Sequence, residues 1–157
     1  MKKIRWWLLL LAIIMPFIAA AIGSYFTTPN IAGWYVNLNK PFFSPPNWLF
    51  APVWTILYLM MGIAIYLIWS QQGIKFNKTQ IPFYLQLILN AGWSIIFFGY
   101  HFLLGALLVI IILWLLIINC LVKFKKVSLT AMWLLIPYLL WVSFASLLNF
   151  SFWYLNQ

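Results

Sequence analysis

The stretch "NLNKPFFSPPNWLFAPVW", residues 37–54, crowds four prolines, three phenylalanines and two tryptophans into eighteen residues. Connections between helices are ordinarily short and polar. This one is stiff and aromatic, and a long apolar run lies on either side of it. A segment of this kind between two apolar runs raises the question of what it covers.

Working outward, the whole chain of 157 residues divides into apolar blocks of bilayer-spanning length, which is about 20 residues. It is 67% hydrophobic and 6% charged, with nine Lys or Arg and no Asp or Glu. A soluble domain carries about 25% charged residues. The spans fall near residues 6–26, 48–69, 81–100, 102–122 and 129–154. The fold class is an all-α membrane protein: a five-helix transmembrane bundle forming one domain over 1–157, with the first loop, 27–47, as an ordered lid.

The net charge of +9 does not point to nucleic acid, because the cations are spread among the segment ends. Lys2, Lys3, Arg5, Lys75, Lys78, Lys123, Lys125 and Lys126 fall on one side, and Lys40 alone on the other. The positive-inside rule then puts the N-terminus in the cytoplasm and the first loop and C-terminus outside. The basic start and "AAA" at 19–21 also fit a cleavable signal. The apolar run continues to Phe26, however, and Ala19/Gly23 and Ala20/Ser24 are pairs suited to helix packing, which favours a retained first helix.

The absent residue types exclude much chemistry. Without carboxylates there is no acid–base pair, no carboxylate metal site and no acidic proton relay. His101, the single histidine, falls at the turn between the third and fourth spans; it reads as an interfacial polar residue before a metal or haem ligand. Cys120 reads as a small packing residue. No metal site is expected.

Neutral polar residues inside the spans remain. Gln86, Asn90 and Ser94 recur at i, i+4 and i+8 with Trp93 beside them, so they share a face. An amide in hydrocarbon is costly unless paired, so that face looks into the bundle. Trp141, Ala145 and Asn149 share a face of the fifth span, and Trp54, Tyr58 and Gly62 one of the second. Spacing alone leaves two readings open, interhelical bonding and a ligand cavity. Pro16 and Pro137 bend their helices, Pro46 suits a helix start, and bends open space between helices. Pro41, Pro45 and Pro46 hold the loop extended, and Tyr35, Phe42 and Phe43 give it an apolar underside.

Three segments, "WYVNLNKPFFSPPNWLFAPVWTILYLMMGIAIYLIW" (34–69), "QLILNAGWSIIFFG" (86–99) and "PYLLWVSFASLLNFSFWYLN" (137–156), resemble the translocator protein family, TspO/MBR, in its bacterial form. The resemblance covers nearly the whole chain. It implies a multi-pass protein of the bacterial cell membrane, a homodimer, and a cavity under the first loop. That cavity would bind porphyrins such as protoporphyrin IX, haem and benzodiazepine-type ligands, for sensing, transport or sequestration. No cofactor is required; the porphyrin or haem is the ligand. Carried over by motif, the pocket is Tyr35, Trp54, Gln86, Asn90, Trp141 and Ala145, under a lid of Lys40, Pro41, Phe42, Phe43, Pro45 and Pro46. Some bacterial members are assigned light-dependent porphyrin breakdown, for which Trp54 and Trp141 would be the catalytic positions. A small-molecule exporter is a further alternative. Two departures matter. No basic residue follows Lys126, so the animal family's sterol motif is incomplete and cholesterol is not an expected partner. The acidic residues frequent near "WY" are missing, leaving Lys40 as the lid's one formal charge.

The charge asymmetry makes the first prediction. A periplasm-active reporter fused after Gln157 should be active, and one needing the cytoplasm silent. The reverse pattern would invert the topology.

Overall fold

The computed structural model describes residues 4–157; Lys2 and Lys3, counted above among the cytoplasmic cations, lie outside the described residues. Five helices carry the fold and no strand occurs among the described residues: α1 Trp6–Ile31, α2 Phe50–Gln72, α3 Ile81–Ser94, α4 Leu103–Lys125 and α5 Leu129–Leu155. A π-helical turn, Ile95–Gly99, prolongs α3, and a 3-10 turn, Asn47–Leu49, leads into α2. With those extensions all five are long and apolar enough to cross a bilayer. The protein is a multi-pass membrane protein. Exposed aromatics ring both ends, Trp6, Trp7 and Trp133 at one and Tyr25, Trp48, Tyr100 and Tyr154 at the other. These amphipathic rings prefer the headgroup level.

The main contacts run α1 to α2, α2 to α5, α5 to α4, α4 to α3 and α3 back to α1, closing a ring. Lipid tails are as apolar as leucine, so burial of hydrocarbon does not drive this ring together; close packing and interhelical hydrogen bonds do. Half the interior is solid. Met61, Ile65 and Ile68 of α2, Phe83 of α3, Leu113, Ile117 and Phe124 of α4 and Leu135 of α5 fill it almost without exposure. Cys120 lies buried and free in the same core.

Local chemistry explains where helices end. Gly73, at φ 75°, sits in the left-handed region and its N–H bonds the Trp69 carbonyl, which stops α2. Ser128 accepts from the Ala131 N–H and starts α5. The first helix runs past its expected end at 26, through Pro29 to Ile31, so the first loop is shorter than 27–47. Side chains support the extra turn: Thr27 Oγ1 donates to the Gly23 carbonyl at 2.9 Å, and Asn30 Nδ2 to the Phe26 carbonyl at 2.9 Å. At the other end of α4 the helix continues to Lys125 rather than 122, placing two lysines against its negative C-terminus.

The first loop is tied down at two points in its first half. Asn39 N–H donates to Asn156 Oδ1 at 2.9 Å, and Asn156 Nδ2 returns a bond to the Asn39 carbonyl at 3.1 Å. Trp34 stacks on His101 with ring centroids 4.2 Å apart, and His101 Nε2 lies 3.1 Å from Asn30 Oδ1. His101 is therefore a tether between the third turn and the first loop; its φ of 54° is unusual for a residue with a Cβ.

At Gly62, α1 and α2 touch backbone to backbone. A Cβ there would lie 2.8 Å from Ile13 Cα and 3.1 Å from the Ala12 carbonyl oxygen. Proline at position 16 cannot donate to that carbonyl, so Ala12 turns a freed oxygen toward a residue with no side chain. Gly62→Ala must push the helices apart, and should cost about 1–3 kcal/mol of stability. A detergent melting curve reads the loss; an unchanged midpoint would mean the contact can relax freely.

Candidate ligand-binding site

Between the solid core and the first loop the ring encloses a cavity of about 460 Å³. Small-molecule sites typically measure about 300–1,000 Å³. Eight of the helix positions that line it lie on the faces read from periodicity: Trp54 and Tyr58 on α2, Asn90, Trp93 and Ser94 on α3, and Trp141, Ala145 and Asn149 on α5. Tyr35 reaches it from the loop, and Phe97 and Phe98 from the π-helical turn. The small residues Ala20, Gly23 and Ser24 of α1 complete the wall. Gly23 leaves room for Ser94, whose Oγ would stand 3.0 Å from a Cβ there.

The cavity floor is a chain of neutral hydrogen bonds linking α2, α3 and α5. Tyr58 OH donates to Asn90 Oδ1 at 2.6 Å, and Asn90 Nδ2 donates to Tyr138 OH at 3.2 Å. Tyr138 OH then donates to Gln86 Oε1 at 2.8 Å, and Gln86 Nε2 points at Met61 Sδ, 3.7 Å away. The floor explains how the expected pocket residues divide. Tyr35, Trp54, Asn90, Trp141 and Ala145 meet around one space. Gln86, one turn below Asn90, lies under the floor and does not line that space. Tyr138 was not singled out by spacing, yet it joins the two amides; its position one residue after Pro137 and three before Trp141 was the available signal.

The walls are aromatic. Trp54 stacks on Tyr58 at 5.3 Å between centroids and meets Tyr138 edge-on at 6.2 Å. Trp93 Nε1 donates to Asn149 Oδ1 at 2.9 Å, and Asn149 Nδ2 to the Leu103 carbonyl at 3.0 Å, so both are spent within the protein. Trp141 Nε1 differs: it is buried and has no partner. An orphaned donor in a cavity wall is an unmet hydrogen bond.

Above, Tyr35 is 4% exposed, packed on Phe98 and Phe152. Burial pushes its phenol above the ordinary value, so it stays neutral, and Lys40 Nζ sits 4.5 Å over its ring. The loop prolines 41, 45 and 46 and Lys40 do not themselves line the cavity. Phe43 packs on Phe144 at 6.3 Å, whereas Phe42 points fully outward. The underside is thus Tyr35 and Phe43, with Asn47 and Phe50 at the cavity edge. The lining residues Ala21, Ser24 and Thr28 of α1 and Ala51 and Thr55 of α2 are exposed, so the mouth opens between these two helices.

Fold and site together define a five-span helical membrane protein with an aromatic internal cavity. The TspO/MBR family profile matches residues 12–155, and the chain belongs to that family. It is 43% identical to the tryptophan-rich protein TspO of Archaeoglobus fulgidus, over 85% of this chain and 87% of that one. It is 35% identical to the tryptophan-rich sensory protein of Cereibacter sphaeroides, over 92% of each chain. The translocator protein of Bos taurus is 34% identical, over 92% of this chain and 87% of its own.

The floor makes a prediction separate from any ligand. Tyr138→Phe removes one hydroxyl from two buried bonds and should lower stability by about 1–3 kcal/mol. Tyr154→Phe, at an exposed ring, serves as control and should melt with the parent. Equal melting of both variants would show that the chain of bonds contributes nothing.

Proposed function

We propose that the protein binds a planar, largely apolar ligand of the tetrapyrrole class, such as protoporphyrin IX or haem, and senses or carries it within the membrane. One observation carries this reading: an aromatic cavity in which the buried Trp141 N–H lacks an acceptor. Indole and phenol faces suit a flat macrocycle, the unpartnered Trp141 N–H is a donor for its polar atoms, and Asn90 fixes the Tyr58 ring against Trp54. The first loop, held by Asn39, Asn156, Trp34 and His101, acts as the lid, with Tyr35 as its inner surface. Names of relatives that describe a sensory protein and a translocator support a sensing or transport role for this chain too.

Trp141→Phe keeps an aromatic face and removes the N–H, so protoporphyrin IX affinity should fall by about 1 kcal/mol, close to fivefold. Asn90→Leu should weaken it by about 1–2 kcal/mol per folded molecule. Unaltered affinity in both variants, measured by absorbance titration, would overturn the reading. The light-dependent enzyme is the rival, since indoles oxidise more readily than phenyl rings. Trp54→Phe and Trp141→Phe separate the two. Either loses only the modest affinity that the lost contacts predict, while an enzyme also loses its illuminated, protein-dependent product by far more than that affinity loss explains.

A further inference from the structure

Trp141 lines a second space as well. On the outer face of the bundle a groove of about 420 Å³ runs between α2 and α5. Val53, Ile56 and Met60 form one side, Pro137, Leu140 and Phe144 the other, and Trp141 the back wall. Apart from the weakly accepting sulfur of Met60, none of those six flanking side chains can donate or accept a hydrogen bond. Ile56 is 58% and Leu140 64% exposed, so the groove is continuous with the surface that faces lipid. A bilayer leaves no such recess empty. Its occupant must be hydrocarbon, because its flanks offer a polar molecule no donor and a single weak acceptor.

The indole of Trp141 is the partition between this groove and the internal cavity. On the cavity side it meets Phe50 edge-on at 5.9 Å, and on the groove side it lies against Phe144 at 5.6 Å. A side chain with open space on both faces forfeits dispersion contacts on each. Pro137, four residues earlier, cannot bond the Trp133 carbonyl, so α5 is locally loosened where the partition sits. Phe43 of the first loop packs on the same Phe144. One aromatic train therefore runs from the loop through the groove to the cavity.

We infer that the α2–α5 groove is a second binding site, specific for a lipid acyl chain, and that Trp141 couples its occupancy to that of the cavity. A chain in the groove supports the indole from behind and fixes the cavity wall. By linkage, a ligand in the cavity then strengthens the hold on the chain. The coupling rests on the tetrapyrrole reading above; the groove itself does not.

The test places the full chain in phosphatidylcholine nanodiscs doped with a lipid bearing a diazirine midway along one acyl chain. After irradiation, labelled peptides are mapped by mass spectrometry. Residues 53–60 and 137–144 should be labelled several-fold more than the exposed α4 face of Leu108, Ile111, Ile112 and Leu115. Met60→Trp fills the groove and should cut labelling there by about fivefold while α4 labelling holds. Leu140→Trp fills it from the opposite wall if Met60→Trp does not fold. Uniform labelling, or labelling indifferent to both fillers, overturns the site. Saturating protoporphyrin IX should raise groove labelling at least about twofold in the parent and not in Trp141→Ala. Porphyrin binding is followed separately by its absorbance. If it binds and groove labelling does not move, the coupling is wrong. If it fails to bind, the tetrapyrrole reading falls and the labelling pattern alone decides the groove.

Discussion

The side-chain amide of Asn90, held between the hydroxyls of Tyr58 and Tyr138, is the constraint on which the rest of the bundle depends. In hydrocarbon an unpaired amide has no solvent to fall back on. Placing one at mid-span therefore compels α2 and α5 to bring partners to α3, and fixes how those helices are rotated. The same device recurs at other heights. Near the charged loops, Gln80 Oε1 accepts from Trp69, Tyr84 and the Lys75 N–H. Toward the first loop, Asn149 joins Trp93 to the start of α4. All these groups are neutral. A chain with no carboxylate can afford polar specificity in the membrane without the desolvation cost of an ion pair.

Backbone exceptions create the open space above that floor. Pro16 and Gly62 let α1 approach α2 in the solid half of the bundle. Farther along, Gly23, Ala20 and Ser24 give α1 a thin wall rather than a filled one. The π-helical turn at Ile95–Gly99 rotates Phe97 and Phe98 under the loop, where Tyr35 and Phe152 meet them. Gly99 permits it, since a Cβ there would stand 2.9 Å from the Phe26 ring. The cavity is thus a consequence of small residues on one side and large rings on the other.

Much of this was legible in the sequence because helical faces repeat. Periodicity picked out the inward faces that carry Asn90 on α3, Trp54 on α2 and Trp141, Ala145 and Asn149 on α5, the family resemblance joined most of them into one pocket, and hydropathy gave five spans of the right order. What it missed depends on depth and on side chains that bond backbone. Gln86 and Asn90 share a face, but nothing in their spacing says which lies above the floor. The run of α1 through Pro29 depends on Thr27 and Asn30 bonding carbonyls one turn back, and a proline ordinarily argues the other way. A π-helical turn has no residue pattern of its own. Phe42 and Phe43 looked alike as letters; only the turn of the loop decides which one faces the bundle.

The distribution of charge constrains how any anionic ligand must lie. Among the described residues no cation lines the cavity; Lys40 sits above the ring of Tyr35, which does line it. A carboxylate drawn inside would lose its water and gain at most neutral donors, which is a net cost in a low-dielectric interior. A tetrapyrrole bound as proposed must therefore insert its apolar edge toward Trp54 and Trp141 and leave its acidic edge at the mouth. There Ser24, Thr28, Asn47 and Thr55 are exposed and offer hydroxyls and an amide. On that reading the mouth between α1 and α2 sets the ligand's orientation as well as its entry. A molecule with acidic groups at both ends would be refused by solvation alone, without any residue having to clash with it.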